Sequence, residues 1–224
     1  MTEDFTAPLA ERMRPEDFPD FIGQDKILGE HGSLRKIIDS KNLVSFLLWG
    51  PPGTGKTTIA RIISKKTTAN FQLFSAVTSS ISDLRKIVQE SDFRWKMDKK
   101  RTIIFVDEIH HFNKSQQDAF LPHIESGKII FIGATTENPS FNVNSALLSR
   151  LKIFTLDILS EKNLFFILLN ALNDKERGLG RYQLSVDKEI LMKIAQLSYG
   201  DARVALNILE AAFLYLGKSG VVTS

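Results

Sequence analysis

A single run of eight residues constrains the fold of this chain more than any other feature. It is a complete G-x-x-x-x-G-K-[ST] motif and reads Gly50-Pro51-Pro52-Gly53-Thr54-Gly55-Lys56-Thr57. An apolar stretch over residues 43–49 is typical of a buried strand, and a helical pattern over residues 56–66 follows the motif. This order of strand, glycine-rich loop and helix is the context in which the motif binds phosphate groups. A plain Gly/Pro-rich turn is the alternative, and it leaves the filled motif positions unexplained.

The loop residues have separate tasks in holding a nucleotide. Gly53 and Gly55 permit a backbone path that points successive N–H groups inward, and this path forms a nest for a β-phosphate. The positive end of the following helix adds to that anion site. We expect Lys56 to reach the β- and γ-phosphates and the hydroxyl of Thr57 to ligate Mg²⁺. The expected cofactors are therefore ATP and Mg²⁺.

Composition limits the class of protein. The 224 residues are 43% hydrophobic and 25% charged, as in a globular protein with one large domain or a core domain plus a small one. No cysteine is present, which excludes a disulfide framework and a Cys-ligated zinc site. No apolar run approaches the roughly 20 residues that span a bilayer, and the N-terminus lacks a signal-peptide pattern, so no membrane partner is expected. The net charge of +3 does not by itself indicate nucleic-acid binding.

Alternating strand and helix patterns predict an α/β fold. Strands are expected at residues 43–49, 71–77, 102–106, 129–134 and 153–156, and helices at 27–40, 56–66, 82–91, 116–125 and 145–150. Continuously apolar strands favour a parallel five-stranded sheet with helices on both faces, here over residues 21–157. Residues 1–20 are polar and proline-containing and are predicted to form an extended lead-in. Residues 94–101 are predicted to be a basic surface connection.

The pattern changes in the last third of the chain. Residues 161–175, 186–197 and 201–216 have helical periodicity, and no convincing strand occurs among them. We therefore predict a small all-helical domain over residues 158–224.

Two carboxylates follow the predicted strand 102–106. A buried strand that ends in Asp107-Glu108 needs a reason, because unpaired carboxylates near a core are costly. Asp107 can hold Mg²⁺ directly or through water, and Glu108 is placed to polarise an attacking water. A surface cap is the alternative for the pair taken alone. Downstream of a full phosphate-binding loop, the pair favours Mg²⁺-dependent hydrolysis.

Other polar residues are weaker candidates. Thr136 and Asn138 follow the strand 129–134 and could hydrogen-bond the water or the γ-phosphate; turn chemistry before Pro139 is the alternative. Arg150 ends the stretch Ser145-Ala146-Leu147-Leu148-Ser149, and Arg203 follows Gly200-Asp201-Ala202 at a helix start. A solvated or salt-bridged surface position is the alternative for each arginine.

The order of these motifs resembles the AAA+ ATPases of the clamp-loader branch. Longer stretches narrow the resemblance to the MgsA/RarA family, whose eukaryotic members include the Werner-helicase-interacting ATPase. These are Leu9-Ala10-Glu11-Arg12-Met13-Arg14-Pro15, Phe21-Ile22-Gly23-Gln24, Asp107-Glu108-Ile109-His110, Phe112-Asn113-Lys114-Ser115-Gln116-Gln117-Asp118, Gly133-Ala134-Thr135-Thr136-Glu137-Asn138-Pro139-Ser140-Phe141 and Asn144-Ser145-Ala146-Leu147-Leu148-Ser149-Arg150. The resemblance covers about residues 7–216.

The resemblance implies a role for each matching residue. Ile22 and Gly23 would line an adenine pocket, and residues 50–58, which end at Thr58, would hold the phosphates. Asp107 would be the Mg²⁺ carboxylate, Glu108 the catalytic base, and Thr136, with Asn138 a close second, the sensor of the γ-phosphate. Arg150 would be an arginine finger for the neighbouring subunit of a homo-oligomer, and Arg203 a lid arginine for its own subunit. Two departures are His111, where the family usually has Arg, and Leu151, where it has Cys.

The function implied by this resemblance is a DNA-dependent ATPase of replication-fork maintenance, DNA repair and recombination. Its implied partners are single-stranded, fork or primer-template DNA and further copies of itself, together with polymerase, sliding clamp or single-strand-binding protein. Two alternatives stay open: a nucleotide-dependent interaction module docking on polymerase or sliding clamp, and an AAA+ protein remodeller. The expected location is nuclear for a eukaryotic source and cytoplasmic for a bacterial one.

Overall fold

The structure, a computed structural model, describes residues 7–40, 42–76, 81–216 and 219–222. Contacts between residues divide the chain into two compact units. Gln24–Pro51 and Gly55–Leu156 form one unit, which we call the sheet unit. Met1–Gly23, Pro52–Thr54 and Asp157–Ser224 form the other, which we call the helical unit.

The secondary structure alternates between helix and strand over most of the chain. In chain order the elements are α1 (Leu9–Arg12), α2 (Asp25–Leu28), α3 (Ser33–Asp39), β1 (Phe46–Trp49), α4 (Lys56–Lys66), β2 (Asn70–Ser75), α5 (Ile81–Asp98), β3 (Thr102–Asp107), α6 (Lys114–Asp118), α7 (Leu121–Glu125), β4 (Ile129–Thr135), α8 (Pro139–Asn142), α9 (Ser145–Leu148), β5 (Lys152–Thr155), α10 (Glu161–Asn173), β6 (Gln183–Val186), α11 (Lys188–Leu197), α12 (Ala202–Leu216) and β7 (Ser219–Val222). Two 3₁₀ turns, Phe18–Asp20 and Ile109–His111, lie between these elements.

The sheet unit is built on one parallel sheet with the strand order β2-β3-β4-β1-β5. Every residue of β4 is buried, as is every residue of β3 except Asp107. Strands covered on both faces are apolar along their whole length, and this pattern is why the sequence predicts β3 and β4. The predicted five-stranded parallel sheet is confirmed. Val77, predicted to end the second strand, lies outside the described residues, and β2 ends at Ser75.

The polar motifs follow the carboxyl ends of the strands of this sheet. In a parallel sheet the carboxyl ends of all strands lie at the same edge, where ligands of α/β proteins bind. The chain leaves β1 after Trp49 into the glycine-rich loop, leaves β3 after Asp107, and leaves β4 after Thr135. Residues that are far apart in sequence are therefore brought to one edge.

Aromatic side chains fill the core beside β4. The ring of Phe120 lies 5.0 Å from the ring of Phe131, 6.1 Å from that of Phe112 and 6.2 Å from that of Phe74. Each aromatic pair of this kind contributes about 0.5–1.5 kcal/mol beyond the area that it buries. This cluster holds the segments on either side of α6 against the sheet.

Several helices of the sheet unit differ from the prediction. The helix expected at 27–40 is two helices, because the chain turns between Gly29, which ends α2, and Gly32, which begins α3. The helix expected at 116–125 is α6 and α7, with a proline in the first turn of α7. The helix expected to end near residue 91 continues to Asp98, so the predicted basic connection at 94–101 is mostly helical.

The helical unit has its own apolar core. Leu164 and Leu168 of α10, Leu191 of α11 and Leu206 of α12 are buried together with Leu9 of α1. The N-cap of α10 is Ser160, whose hydroxyl oxygen accepts the N–H of Asn163 at 3.2 Å. A cap of this kind stabilises a helix by about 1 kcal/mol.

Two predictions for this unit are wrong in part. The lead-in at residues 1–20 is not extended over its described part, because α1 and a 3₁₀ turn form there. Leu9 is buried in the core of this unit, and its N–H donates to Glu210 of α12 at 2.8 Å. The domain predicted as all-helical also contains a small parallel sheet, in which Gln183 of β6 lies opposite Ser219 of β7.

Candidate nucleotide-binding and hydrolytic site

The glycine-rich loop has the backbone geometry that its sequence predicts. Gly53 and Gly55 have φ angles of 67° and 101°, in the left-handed region that favours glycine. A Cβ added at Gly53 would lie 1.9 Å from Oδ1 of Asp201, which belongs to the same unit. Gly55 is the N-cap of α4 and has no side chain to cap it. The first turn of α4 therefore begins without a side-chain cap from this residue, as helices do in phosphate sites.

Lys56 is held under the loop. Its ammonium donates to the carbonyl oxygens of Gly50 at 2.7 Å and of Pro51 at 2.8 Å, and the residue is 7% exposed. An ammonium this deeply buried is stable only with oxygen partners, because desolvation of an unpaired charge is costly. The fold thus keeps the side-chain nitrogen of Lys56 close to the backbone of the loop.

Thr57 and Asp107 meet at the carboxyl edge of the sheet. The hydroxyl of Thr57, in the first turn of α4, donates to Oδ2 of Asp107 at 3.0 Å. Asp107 is the last residue of β3. The sequence predicted these two as metal ligands, and the structure brings them together although 50 positions separate them. A hydroxyl and a carboxylate are hard oxygen ligands, of the kind that Mg²⁺ prefers.

Glu108 follows Asp107 in an unusual backbone conformation. Its φ of 52° lies in the left-handed region, which is uncommon for residues other than glycine and costs of order 1–3 kcal/mol. The hydroxyl of Thr136 donates to Oε2 of Glu108 at 3.3 Å, and Nδ1 of His110 lies 3.3 Å from the same oxygen. The Glu108 side chain is 34% exposed, so it faces solvent while its position is held from two sides.

Asn138 has a different environment from Thr136. Its side-chain oxygen accepts the N–H of Ser140 at 3.0 Å and caps α8. This is the turn chemistry that was the alternative for this residue. Of these two residues, Thr136 contacts the acidic side chain of Glu108.

Arg150 lies at the opposite edge of the sheet. It precedes β5, whose four residues run parallel to β1 with Thr155 opposite Trp49. A strand of that length spans about 13 Å, and this distance separates Arg150 from the carboxyl edge at which the phosphate-binding loop follows β1. Its Nε donates to Oε1 of Glu125 at 2.6 Å, and its Nη1 donates to the carbonyl of Ala146 at 2.7 Å.

The remaining predicted site residues belong to the helical unit. Oδ1 of Asp201 accepts the backbone N–H of Arg203 at 2.8 Å, and the Arg203 side chain is exposed. Ile22 is half-buried. Gly23 has a φ of 84°, and a Cβ there would lie 2.5 Å from Nδ2 of Asn163.

These residues fit a Mg²⁺-bound nucleoside triphosphate. The uncapped start of α4 and the ammonium of Lys56 are suited to phosphate oxygens. Thr57 and Asp107 would hold the ion, and no other protein ligand is required, because Mg²⁺ is usually bound by one or two side chains together with substrate phosphates and waters.

Three contacts of the sheet unit, one at this site and two away from it, were not predicted from sequence. They are His110 beside Glu108, Glu125 beside Arg150, and Gln117, whose buried amide joins α6 to the chain before α9. His110 and Gln117 were seen only as parts of longer motifs. A polar residue at a position that the predicted fold would bury is the sequence signal that could have indicated His110 and Gln117.

Fold and site together define a phosphate-loop nucleotide-binding domain of the AAA type. The family described as "ATPase family associated with various cellular activities (AAA)" matches residues 46–157, and the chain belongs to this family. No helix among the described residues is both long and apolar enough to cross a membrane.

Comparison with curated proteins confirms the predicted resemblance. The chain is 50% identical over 203 residues to Replication-associated recombination protein A of Escherichia coli (strain K12), a match that covers 91% of this chain and 45% of that protein. It is 49% identical over 203 residues to the protein of the same name from Haemophilus influenzae, with 91% and 45% covered. It is 45% identical over 206 residues to ATPase WRNIP1 of Dictyostelium discoideum, with 92% and 23% covered. The chain thus spans less than half the length of these relatives.

The fold is similar to that of a solved structure as well. The Thermotoga maritima RuvB Holliday junction branch migration motor superimposes with a TM-score of 0.75 and 27% sequence identity, and the match covers 95% of this chain and 70% of that one.

Proposed function

We propose that this chain is the ATP-hydrolysing part of a DNA-dependent ATPase that acts in replication-fork maintenance, DNA repair and recombination. The observation that carries the proposal is the contact of Thr57 with Asp107 at the end of β3, one residue before Glu108. A metal-binding pair beside a second carboxylate is what hydrolysis of a phosphoanhydride requires, and a domain that only binds nucleotide has no need of the second carboxylate.

The reaction follows from the placement of the residues. Glu108 orients a water and accepts its proton as the water oxygen attacks the γ-phosphorus. The bond from that phosphorus to the bridging oxygen breaks, and ADP and phosphate are the products. Lys56 and the N–H groups at the start of α4 bind the phosphate oxygens, and Thr136 donates its hydroxyl to the γ-phosphate or to the attacking water. Mg²⁺, when bound by Thr57 and Asp107, neutralises phosphate charge.

Arg150 is proposed to act on the site of a neighbouring copy. A charged guanidinium on the transferred phosphoryl group is worth a large rate factor. Its position at the amino edge of the sheet favours action in trans, because the loop of its own subunit lies at the other edge. Hydrolysis would then depend on assembly into a homo-oligomer.

Arg203, Ile22 and Gly23 also have proposed roles in nucleotide binding. Arg203, exposed at the start of α12, would contact the γ-phosphate of its own subunit. Ile22 and Gly23 would line the adenine pocket, and Asn138 is a second candidate for the γ-phosphate. These roles rest on the family resemblance.

DNA and protein partners are proposed from the relatives. Their names refer to replication-associated recombination, and the RuvB structure is that of a branch migration motor. The proposed activator is single-stranded, fork or primer-template DNA, and the proposed protein partners are polymerase, sliding clamp or single-strand-binding protein. The bacterial relatives favour a cytoplasmic location.

The test is the steady-state rate of ATP hydrolysis with and without primer-template or fork DNA, for the wild type and for Glu108→Gln. We expect DNA to stimulate the wild type and Glu108→Gln to lose nearly all activity while ATP still binds. A rate that neither DNA nor Glu108→Gln changes would rule out the enzymatic proposal. A rate that needs Glu108 but ignores DNA would favour a nucleotide-dependent docking module or a protein remodeller.

A further inference from the structure

His110 is a buried polar residue for which the proposed reaction has no use. Its side chain is 8% exposed and lies on the 3₁₀ turn that follows Glu108. Its Nδ1 lies 2.9 Å from Oγ1 of Thr135 and 3.3 Å from Oε2 of Glu108. Its Nε2 lies 3.7 Å from Oε1 of Glu137, too far for a hydrogen bond. The ring therefore stands between the ends of β3 and β4.

The hydrogen bonds of Thr135 indicate which atom donates in its contact with His110. The Thr135 hydroxyl accepts the N–H of Glu137 at 3.1 Å and can donate its single proton to the carbonyl of Glu137 at 3.3 Å. When that proton is used in this way, Oγ1 can only accept from the ring. The Nδ1–H of His110 then points between Thr135 and Glu108 and is shared by two oxygen acceptors.

Thr135 provides a rigid anchor for this contact. It is fully buried at the end of β4, the central strand that pairs with both β3 and β1. Glu108, in contrast, is part-exposed and lies outside the strand in a left-handed conformation. A carboxylate on such a residue has rotamer freedom that a general base must lose before it can align a water.

We propose that His110 is a positioning residue for Glu108, holding its carboxylate at the carboxyl edge of the sheet by linking it to Thr135 on β4. This inference rests on the proposed function, because it assigns His110 a part in the same hydrolytic site. Thr136 restrains the same oxygen from the other side, and its hydroxyl can turn to the γ-phosphate only if a second group keeps Glu108 in place.

The experiment compares three substitutions of His110 in ATP hydrolysis. Asn places an amide nitrogen where Nδ1 lies, whereas Gln reaches the position of Nε2 and Ala removes both. We expect His110→Ala and His110→Gln to lower kcat about 10–100-fold with Kd for ATP changed less than about twofold, and His110→Asn to retain activity within about threefold. His31→Ala, an exposed histidine of the sheet unit, is the matched control.

A packing role would give a different result. If His110 only fills space, its substitutions would lower the thermal midpoint. The kcat of His110→Asn would then fall at least as much as that of His110→Gln, because the shorter Asn side chain leaves the larger void. Equal kcat for the wild type, Ala and Gln variants would overturn the proposal, and so would equal impairment of Asn and Gln. Thermal unfolding and ATP binding of each variant show whether a low kcat arises from unfolded protein.

The Glu108→Gln background separates this inference from the function on which it rests. In single-turnover hydrolysis we expect His110→Ala to slow the wild type but to add little to Glu108→Gln, because there is no base left to position. A Glu108→Gln variant as active as the wild type would overturn the proposed function together with this inference. An inactive Glu108→Gln beside a fully active His110→Ala would overturn this inference alone.

Discussion

The backbone N–H of Asn144 donates a 2.7 Å hydrogen bond to the side-chain oxygen of Gln117, 27 positions earlier in the chain. The amide nitrogen of Gln117 donates to the carbonyls of Phe112 and Asn142, each at 3.0 Å, and the side chain is 2% exposed. One buried amide thus joins the motif that follows Glu108 to the segment that leads to Arg150.

Replacing Gln117 with Leu should destabilise the protein strongly. The substitution removes the partner of the buried C=O of Phe112 and of two groups nearer the surface, the N–H of Asn144 and the C=O of Asn142. An unsatisfied buried group costs about 1–3 kcal/mol, so we expect the free energy of unfolding, measured by urea denaturation, to fall by about 2–4 kcal/mol. Gln89→Leu on the exposed face of α5 is the control and should change it by less than about 0.5 kcal/mol. Equal midpoints for the two variants would contradict this account.

The pairing of Thr57 with Asp107 predicts a specific dependence on Mg²⁺. Thr57→Val keeps the shape of the side chain but removes the hydroxyl, whereas Thr57→Ser keeps the hydroxyl. We expect Thr57→Val to raise the Mg²⁺ concentration for half-maximal hydrolysis about 10–100-fold, because this variant loses a ligand oxygen. We expect Thr57→Ser, which keeps that oxygen, to change it by less than about threefold. Titration of the ATPase rate with MgCl₂ at saturating ATP measures this. Identical titrations for Val and Ser would show that Thr57 does not hold the ion.

Two variant subunits, one with a defective loop and one without Arg150, should restore activity when they are mixed. A Lys56→Ala subunit has a defective loop but an intact Arg150, and an Arg150→Ala subunit has the reverse. We expect each variant alone to be nearly inactive and a 1:1 mixture to regain activity, because about a quarter of randomly formed interfaces join an intact loop to an intact arginine. The rate of ATP hydrolysis against mixing ratio is the measurement.

The control for that mixture is Lys152→Ala, which removes another exposed cation at the same edge of the sheet. It should hydrolyse ATP alone at close to the wild-type rate. A mixture no more active than the average of its two components would indicate that Arg150 does not complete a neighbouring site.

The parts of the fold that the sequence predicted are those that local patterns encode. The helix α4 has the expected bounds, and β3 and β4 each extend one residue beyond theirs, because continuous apolar runs and a glycine-rich loop are local signals. The strands β6 and β7 were missed because neither is a continuous apolar run: they read Gln183-Leu184-Ser185-Val186 and Ser219-Gly220-Val221-Val222.

The sequence predicted which residues form the candidate site, but it did not predict most of the contacts between them. Asp107 and Thr57 were assigned together because the chemistry needs both. The pairs His110 with Thr135 and Arg150 with Glu125 each join residues 25 positions apart, which no periodicity reports. The left-handed φ of Glu108 was also unpredicted, because sequence patterns favour such angles only at glycine, asparagine or aspartate.

Asp174 should make the stability of the helical unit depend on pH. Burial alone would raise the pKa of this carboxyl, but hydrogen bonds from the N–H groups of Arg177 and Glu176, and from the Arg177 side chain, lower the pKa below its usual value. A carboxyl whose folded pKa is depressed stabilises the protein above its unfolded pKa of about 3.9 and loses that contribution as pH falls through the folded value.

Asp174→Asn removes the charge while keeping a side-chain oxygen. We expect the variant to be less stable than the wild type at pH 7 and the difference to shrink as the pH falls below about 4, because the carboxyl of the unfolded wild type binds a proton there before that of the folded protein. Urea unfolding at both pH values measures this. Asp187→Asn, at an exposed N-cap residue of α11 whose side chain makes no capping hydrogen bond, is the control and should show a smaller change between pH 7 and low pH. A constant difference between Asp174→Asn and the wild type would mean that the charge of Asp174 does not contribute to stability.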